Sequence, residues 1–330
     1  MSQVLIADAS DPEVIREAAR IIRKGGLVAF PTETVYGLGA DAENAAAVAR
    51  IFEAKRRPRI DPLIVHVADM KTARLYGTFP DAALPLMERF WPGPLTLVAN
   101  RTSLVPYIVT AGLDTVAVRV PAHPAALALI RAAESAIAAP SANPFGYVSP
   151  TEAEHVAEQL GCAVDLILDG GPSEVGVEST ILSFEASGPV ILRVGGTPAE
   201  DLKSVIGHTD IQIGSVSRPS VPGQLKRHYS TRTPLEIIEI SESCDVAPRV
   251  EKQEARIGLL TLSLTEDASR YAAVEILSPT GDLREAATGL FRALRRLDSL
   301  QLDCIVARPV PEKELGLAIM DRLRRCAARE

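Results

Sequence analysis

A short run of cations, Lys55-Arg56-Arg57-Pro58-Arg59, makes the strongest chemical suggestion in the chain. Arginine offers phosphate oxygens a planar fork of N–H donors and lysine a movable point charge, a mixture suited to a triphosphate that loses pyrophosphate. The prolines of KRRPRIDPL stiffen the backbone and discourage helix, so these charges are held in place. Taken alone, a run this short is more often a solvated loop than a site. Far downstream, the turn Pro140-Ser141-Ala142-Asn143-Pro144 presents a hydroxyl and an amide to phosphate or ribose oxygens, unless both merely cap their own backbone.

Small hydroxyls at strand ends are suited to reading a small polar ligand: Thr32 and Thr34 in PTET, Ser179 and Thr180 in GVEST. His66, in LIVHV, faces away from the valines on either side; a lone strand histidine is more often a core or surface residue than a ligand. Arg119 interrupts the apolar strand VAVRV, and a charge there must be paired or ligand-bound, since burying it alone costs several kcal/mol or more. Arg193 in ILRVGG raises the same question. Glu178 is a candidate structural partner for either arginine. No Walker A sequence and no G-x-G-x-x-G after a strand is present, so ATP use would follow neither a P-loop nor a kinase pattern.

The elements that must position these groups can be read from caps and periodicity. Asp11-Pro12 opens a helix with apolar Val14, Ile15, Ala18, Ile21 and Ile22, closed by Gly25-Gly26, and a buried strand follows at 27–30. The glycines of PTETVYGLGADA loosen the backbone before a helix over 43–54, which delivers Lys55 at its end. Short apolar strands are predicted at 63–67, 95–99, 116–120, 166–168, 180–184 and 190–194, with helices near 69–76, 81–90, 123–134 and 151–160. Strands and helices without strict alternation predict an α/β fold with a mixed sheet. A Ser-, Pro- and Gly-rich segment reads as an interdomain linker, giving domains at 1–204 and 235–330 joined by 205–234. The last domain is predicted to be a small α/β unit, with strands at 235–240, 257–262, 274–277 and 304–307 and helices at 282–297 and 312–328.

Composition narrows the function classes. At 330 residues and 47% hydrophobic content the chain can bury two cores, and its net charge of −7 repels a polyanion, so any RNA contact must be local. The cysteines at 162, 244, 304 and 326 form no C-x-x-C pair, which predicts neither a zinc knuckle nor a disulfide framework. The start, MSQVLIADAS, lacks the basic and apolar regions of a signal peptide, and no apolar run is long enough to cross a bilayer. The expectation is a soluble, cytoplasmic protein. A rival reading makes it an RNA-binding module with a basic cleft, although it lacks the interleaved aromatics of single-strand platforms.

Singly these signals are weak, but their order is distinctive: PTETVYGLGADA, KRRPRIDPLIVHV, WPGPLTLV, TVAVRVPAHP, APSAN, GGPSEVGVEST and ILRVGG. Together they resemble the YrdC-domain family of L-threonylcarbamoyladenylate synthases over about the first 200 residues, and the linker VPGQLKRHYSTRTPL with its following α/β unit is similar to the long, two-domain form. The resemblance implies a YrdC-like twisted mixed sheet with helices, plus a smaller Rossmann-like C-terminal domain. It implies a nucleotidyltransferase that converts L-threonine, bicarbonate or CO2, and ATP into threonylcarbamoyl-AMP and pyrophosphate, with Mg²⁺ accompanying the nucleotide. The product would pass to a tRNA threonylcarbamoyl-transferase for modification of the adenosine beside the anticodon.

Carried over by motif, Lys55 and Arg57 would be catalytic. Lys55, Arg57, Asp61, Thr115, Ser141, Asn143, Ser149, Arg193 and Tyr229 would bind ATP, while Thr34, His66, Arg119 and Ser179 would hold threonine, with Arg119 on its carboxylate. Arg227-His228-Tyr229 in the linker is the expected lid over the site. The chain departs here from the family's PGMxYRHYAP: Gln224 replaces Met, Lys226 replaces Tyr, and Ser230-Thr231 replace Ala-Pro. The related carbamoyl-transfer machinery of hydrogenase maturation is a second enzyme alternative, but its zinc-binding cysteines and acylphosphatase region are not found in this sequence.

Overall fold

The computed structural model describes residues 4–212, 219–225, 228–238, 255–264 and 268–328. Lys226, Arg227, Ile240 and Cys244 lie outside the described residues.

Twelve strands build the first sheet: β1 (Ile6–Asp8), β2 (Val28–Phe30), β3 (Gly37–Asp41), β4 (Ile64–His66), β5 (Gly77–Thr78), β6 (Leu95–Arg101), β7 (Thr115–Arg119), β8 (Ile137–Ala139), β9 (Leu166–Asp169), β10 (Thr180–Glu185), β11 (Gly188–Arg193) and β12 (Asp210–Ile211). Their spatial order is β1-β9-β2-β3-β8-β4-β7-β6-β10-β11-β12, with β5 paired to β6, and both parallel and antiparallel neighbours occur. The helices accompanying them are α1 (Pro12–Arg23), α2 (Ala45–Lys55), α3 (Met70–Tyr76), α4 (Leu84–Phe90), α5 (Pro124–Ala133), α6 (Ala153–Leu160) and α7 (Ala199–Ile206). The last strand of this sheet, β12, falls inside the segment 205–234 and pairs with β11.

Local chemistry explains the element ends that matter for the site. The Asp11 side chain accepts from Glu13 N at 2.8 Å with Pro12 in the first turn, and Gly25 takes the left-handed φ of +80° that ends α1. Asn44 caps α2 by accepting from the Ala46 and Ala47 amides. The end of α2 falls on Arg56, whose φ of 52° turns the chain sharply and sends Lys55 and Arg57 inward while Arg56 and Arg59 stay exposed. The glycines of GLGAD, expected to loosen the backbone, instead form β3: a Cβ at Gly39 would lie 2.8 Å from the Phe30 ring and 2.7 Å from Ile137, so the strand needs glycine to pack between β2 and β8.

The second sheet is wholly parallel, in the order β13 (Leu235–Ile237), β16 (Cys304–Ala307), β14 (Ile257–Thr261), β15 (Ala273–Ile276), and packs with α8 (Leu283–Ser299) and α9 (Leu315–Ala327). One apolar core runs unbroken from the first sheet into this unit, joining Val48, Leu97 and Val118 to Tyr229, Leu290, Phe291 and Leu323. Burial of that shared surface holds the two units together.

Candidate active site

A cavity lies over one face of the first sheet, where β3, β4, β7, β8 and β10 meet. Ile64 and His66 of β4 reach it as alternate residues of one strand, and His66 sits in parallel register beside Arg119 of β7. Ser141, just past β8, bridges back to Gly37. Glu178 and Ser179 enter ahead of β10, and Arg193 ends β11. Pro222, Gly223, His228 and Tyr229 of the linker cover the remaining side. The enclosed volume is only about 40 Å³.

One wall is basic. Arg57 is buried and ion-paired with Asp61, Nη2 lying 2.9 Å from Oδ2, while its Nε and Nη2 donate to the carbonyls of Asp61 and Pro62. That carboxylate contact lacks hydrogen-bond alignment, so neither Asp61 oxygen receives a donor among the described residues. Burial raises the Asp61 pKa against the opposing pull of Arg57 and Lys55. Arg193 differs from Arg57. It donates to Ser179 O, Ser179 Oγ and Pro222 O, and no carboxylate among the described residues comes within ion-pair distance of it. Lys55 also has no carboxylate partner among the described residues; its amine donates to the carbonyls of Ser141 and Asn143. Burial first, and then the neighbouring Arg57 charge, push the Lys55 pKa well below its ordinary range.

The facing wall is built around Arg119, which donates from Nη1 to Thr34 Oγ1 at 2.9 Å, from Nη2 to Glu33 Oε1 at 2.7 Å and from Nε to Gly93 O at 3.1 Å. Of five N–H groups, three are engaged and two are left for a ligand. The structural partner of this arginine is therefore Glu33, and the expectation of Glu178 is corrected. Glu178 instead accepts from Ser149 Oγ and from Arg322 Nε of α9, the latter at 2.9 Å. Arg193 is not its partner either. Ser179 hydrogen-bonds Thr96 Oγ1 at 2.7 Å and accepts from Arg193 Nη2.

Thr34, Arg57, His66, Arg119, Ser141, Ser179, Arg193 and Tyr229 thus line one cavity. Lys55, Asp61, Asn143 and Ser149 stand behind it and hold its lining in place. The Asn143 amide bonds Pro144 O and Tyr147 O, tying down the turn that carries Ser141. Thr115 does not join them: it begins β7 opposite Asn100, at the far end of the strand from Arg119. Thr180, grouped with Ser179 in the sequence, is committed to Thr197 N and O.

The linker residues are shaped for contact. Tyr229 adopts the left-handed φ of 62°, which is unfavourable for a bulky side chain, and its buried hydroxyl has no hydrogen-bond partner among the described residues. Burial pushes its pKa up to about 12 against the pull of Arg322, so the phenol is a neutral donor. His228 packs at 4.1 Å on Tyr229 and at 6.0 Å on Phe145. Gln224, where the family has Met, is buried and accepts from the Ser220 and Val221 amides, so the departure serves the turn that brings Pro222 and Gly223 over the cavity.

Groups missed in the sequence include Glu33, Phe145, whose ring lies 6.0 Å from the Arg57 guanidinium, and Arg322. Arg322 was detectable: it occupies the stripe Leu315-Ala318-Ile319-Arg322-Cys326 at helical spacing, an arginine where the pattern calls for an apolar residue.

Buried histidines make the fold acid-sensitive. Burial, reinforced by the Arg119 charge, lowers the His66 pKa from 6.5 to about 3; burial, with Arg295 next, lowers that of His155 to about 4; and burial drives His228 well down. Because these folded pKa values lie below the unfolded value, the unfolded chain binds more protons in the window between them. Stability is then complete above the unfolded pKa and falls as pH drops below it, by up to about 1.4 kcal/mol per pH unit for each histidine. The urea midpoint should fall between about pH 7.5 and about pH 5, and less steeply in His66→Phe. Equal midpoints at the two pH values would contradict this.

Among the described residues no three His, Cys, Asp or Glu side chains assemble as metal ligands, and no helix is long and apolar enough to cross a membrane. The Asp61 carboxylate is ion-paired with Arg57 behind the cavity lining, so it is not placed to hold a metal ion among substrate phosphates.

Comparison with known proteins gives concordant results. Residues 20–195 match the Sua5/YciO/YrdC family model, described as telomere recombination, and residues 197–328 match the threonylcarbamoyl-AMP synthase C-terminal domain. The chain is 44% identical over 326 residues to threonylcarbamoyl-AMP synthase of Pyrococcus abyssi, covering 95% of this chain and 94% of that one. It is 46% identical over 328 residues to threonylcarbamoyl-AMP synthase of Bacillus subtilis, covering 96% and 94%. The crystal structure of P. abyssi Sua5 complexed with L-threonine superposes with a TM-score of 0.90 at 41% identity, over 99% of this chain and 98% of that one.

Proposed function

Because this chain belongs to the threonylcarbamoyl-AMP synthase family, in its two-domain form, we infer that it condenses L-threonine, bicarbonate or CO2, and ATP into threonylcarbamoyl-AMP and pyrophosphate. One observation carries this reading to the site: a basic wall formed by Arg57 and Arg193, the latter buried without a carboxylate partner among the described residues, faces a second wall whose Arg119 keeps two free N–H groups. The first arrangement suits phosphates and the second an α-carboxylate. An RNA-binding role is disfavoured, since Arg57 and Arg193 are buried beneath the linker where a phosphate backbone has no access.

On this reading Arg119 clamps the threonine carboxylate, with Thr34 and Ser179 beside it. Neutral His66, which lines the same pocket, offers a hydrogen-bonding group to the substrate amine or hydroxyl. The amine adds to CO2 and loses a proton, giving a carbamate. A carbamate oxygen then attacks the α-phosphorus in line, forming one P–O bond as the bond to pyrophosphate breaks. Arg57 and Arg193 stabilise the charge that develops on the phosphates. Lys55 acts mainly by fixing the Ser141–Asn143 turn, so orientation supplies much of the acceleration. ATP enters as its Mg²⁺ complex.

A cavity of about 40 Å³ is far below the roughly 300–1,000 Å³ of ordinary ligand sites. The linker must therefore withdraw to admit ATP and close again to keep water from the carbamate and the mixed anhydride. The product's activated carbonyl calls for an acceptor amine, supplied by a downstream transferase acting on tRNA in the cytoplasm. Incubation with ATP, L-threonine and isotopically labelled bicarbonate tests this: the label should appear in an adenylate that also contains threonine. Unlabelled AMP with no such adduct would refute it.

A further inference from the structure

Arg322 is fully buried on α9, far along the chain from every motif of the site, yet three of the groups it holds line the pocket or adjoin it. Its Nε donates to Glu178 Oε2 at 2.9 Å, its Nη2 to Val194 O at 3.0 Å, and its Nη1 to Asp321 Oδ2 at 2.7 Å. Its guanidinium lies 4.8 Å from the centre of the Tyr229 ring. Glu178 and Tyr229 both line the cavity, and Val194 follows Arg193.

A well-packed apolar side chain usually serves a buried interface as well as an ion pair does, or better. An arginine whose Nε, Nη1 and Nη2 donate to three different acceptors indicates a demand for geometry. Tyr229 has that demand, being held in an unfavourable backbone conformation with its ring stacked on Phe291 of α8 at 5.7 Å and the Arg322 guanidinium over it at 4.8 Å. The next turn of α9 reinforces it, since Arg325 pairs with Asp321 and donates to Leu225 O in the linker at 2.9 Å.

Helix α8 supports the same wall from beside α9. Thr288 Oγ1 donates to Glu174 O at 2.6 Å. Gly176 lies so close to the helix that a Cβ there would fall 2.4 Å from Ala287 O and from Thr288 Cα. The loop carrying Glu178 and Ser179 is thus seated directly on the C-terminal unit.

We propose that Arg322 is a positioning residue of the reaction: it sets Tyr229 and Glu178 against the pocket, which makes the C-terminal unit the outer support of the active site. This builds on the synthase reading above. Arg322 also neutralises Glu178, whose carboxylate would otherwise face incoming phosphates unpaired.

The test uses the full chain with Arg322→Lys, which keeps the charge but loses the fork and the stacking plane, beside Arg322→Met. Hydrogen exchange needs no activity: the amides of Tyr229, Ser230 and Thr231 should exchange at least about tenfold faster in Arg322→Lys while β6 and β7 keep their protection. In threonine-dependent pyrophosphate release, kcat should fall at least about tenfold with the threonine KM within about threefold of wild type. If Arg322→Met is recovered unfolded, Arg322→Lys alone carries both measurements. Unchanged exchange at 229–231, or a wild-type kcat, would overturn the proposal. A wild-type protein that releases no pyrophosphate would overturn the synthase reading instead, and the exchange result would still decide the role of Arg322.

Discussion

Arg119→Ala should raise the threonine KM at least about 100-fold and lower the unfolding free energy by about 3–5 kcal/mol. Both losses have one cause. Arg119 is buried and is the ion-pair partner of Glu33, whose second oxygen already lacks a donor, so removing the guanidinium strands a carboxylate in the core. Adding Glu33→Gln removes the stranded charge and should restore most of the stability. It should not restore threonine binding, because the two N–H groups offered to the substrate carboxylate are gone. Urea unfolding and threonine titration of the single and double variants separate the effects. A threonine KM that stays at the wild-type value would remove Arg119 from the substrate site.

Arg193→Met should behave in the opposite way, with unfolding free energy within about 1 kcal/mol of wild type and an ATP KM raised about 100-fold, equivalent to about 2.7 kcal/mol. Arg193 is buried with carbonyl and hydroxyl partners but no carboxylate among the described residues, so the protein without nucleotide bears the desolvation of a cation with no such ion pair to offset it. Burial lowers its pKa accordingly. A phosphate supplies the missing negative charge, which is why the cost should appear in nucleotide binding and not in folding. Loss of several kcal/mol of stability with an unchanged ATP KM would reverse this assignment and make Arg193 a structural residue.

The contrast between these arginines marks where the sequence stops being informative. That VAVRV and ILRVGG carry buried charges needing partners was legible, because an arginine inside an apolar strand admits few explanations. Which partner each finds was not. Glu33 lies four positions before β3 and Glu178 two before β10, and only the pairing of β3 with β8, β8 with β4 and β4 with β7 brings the first to Arg119, while α9 claims the second.

Caps and alternation located α1, α2 and most strands within a residue or two, since those signals are local. Strand β3 was hidden because its glycines serve packing against Phe30 and Ile137, a tertiary requirement that reads as looseness along the chain. Lys55 was expected among the phosphates on the strength of its charge. The structure ties it to the Ser141 and Asn143 carbonyls, a contact between residues far apart in the chain that spacing does not encode. The linker is intermediate: its aromatic pair suggested a cover, whereas the support of Tyr229 by Phe291 and Arg322 depends on how the C-terminal unit docks.

The most direct measurement is pyrophosphate release from ATP by the purified protein, with L-threonine and bicarbonate supplied or withheld in turn. Two facing walls, one for phosphates and one for an amino-acid carboxylate, predict release only when both co-substrates are present, at least about tenfold above the rate with either missing. Release that proceeds equally well without L-threonine and without bicarbonate would contradict the account.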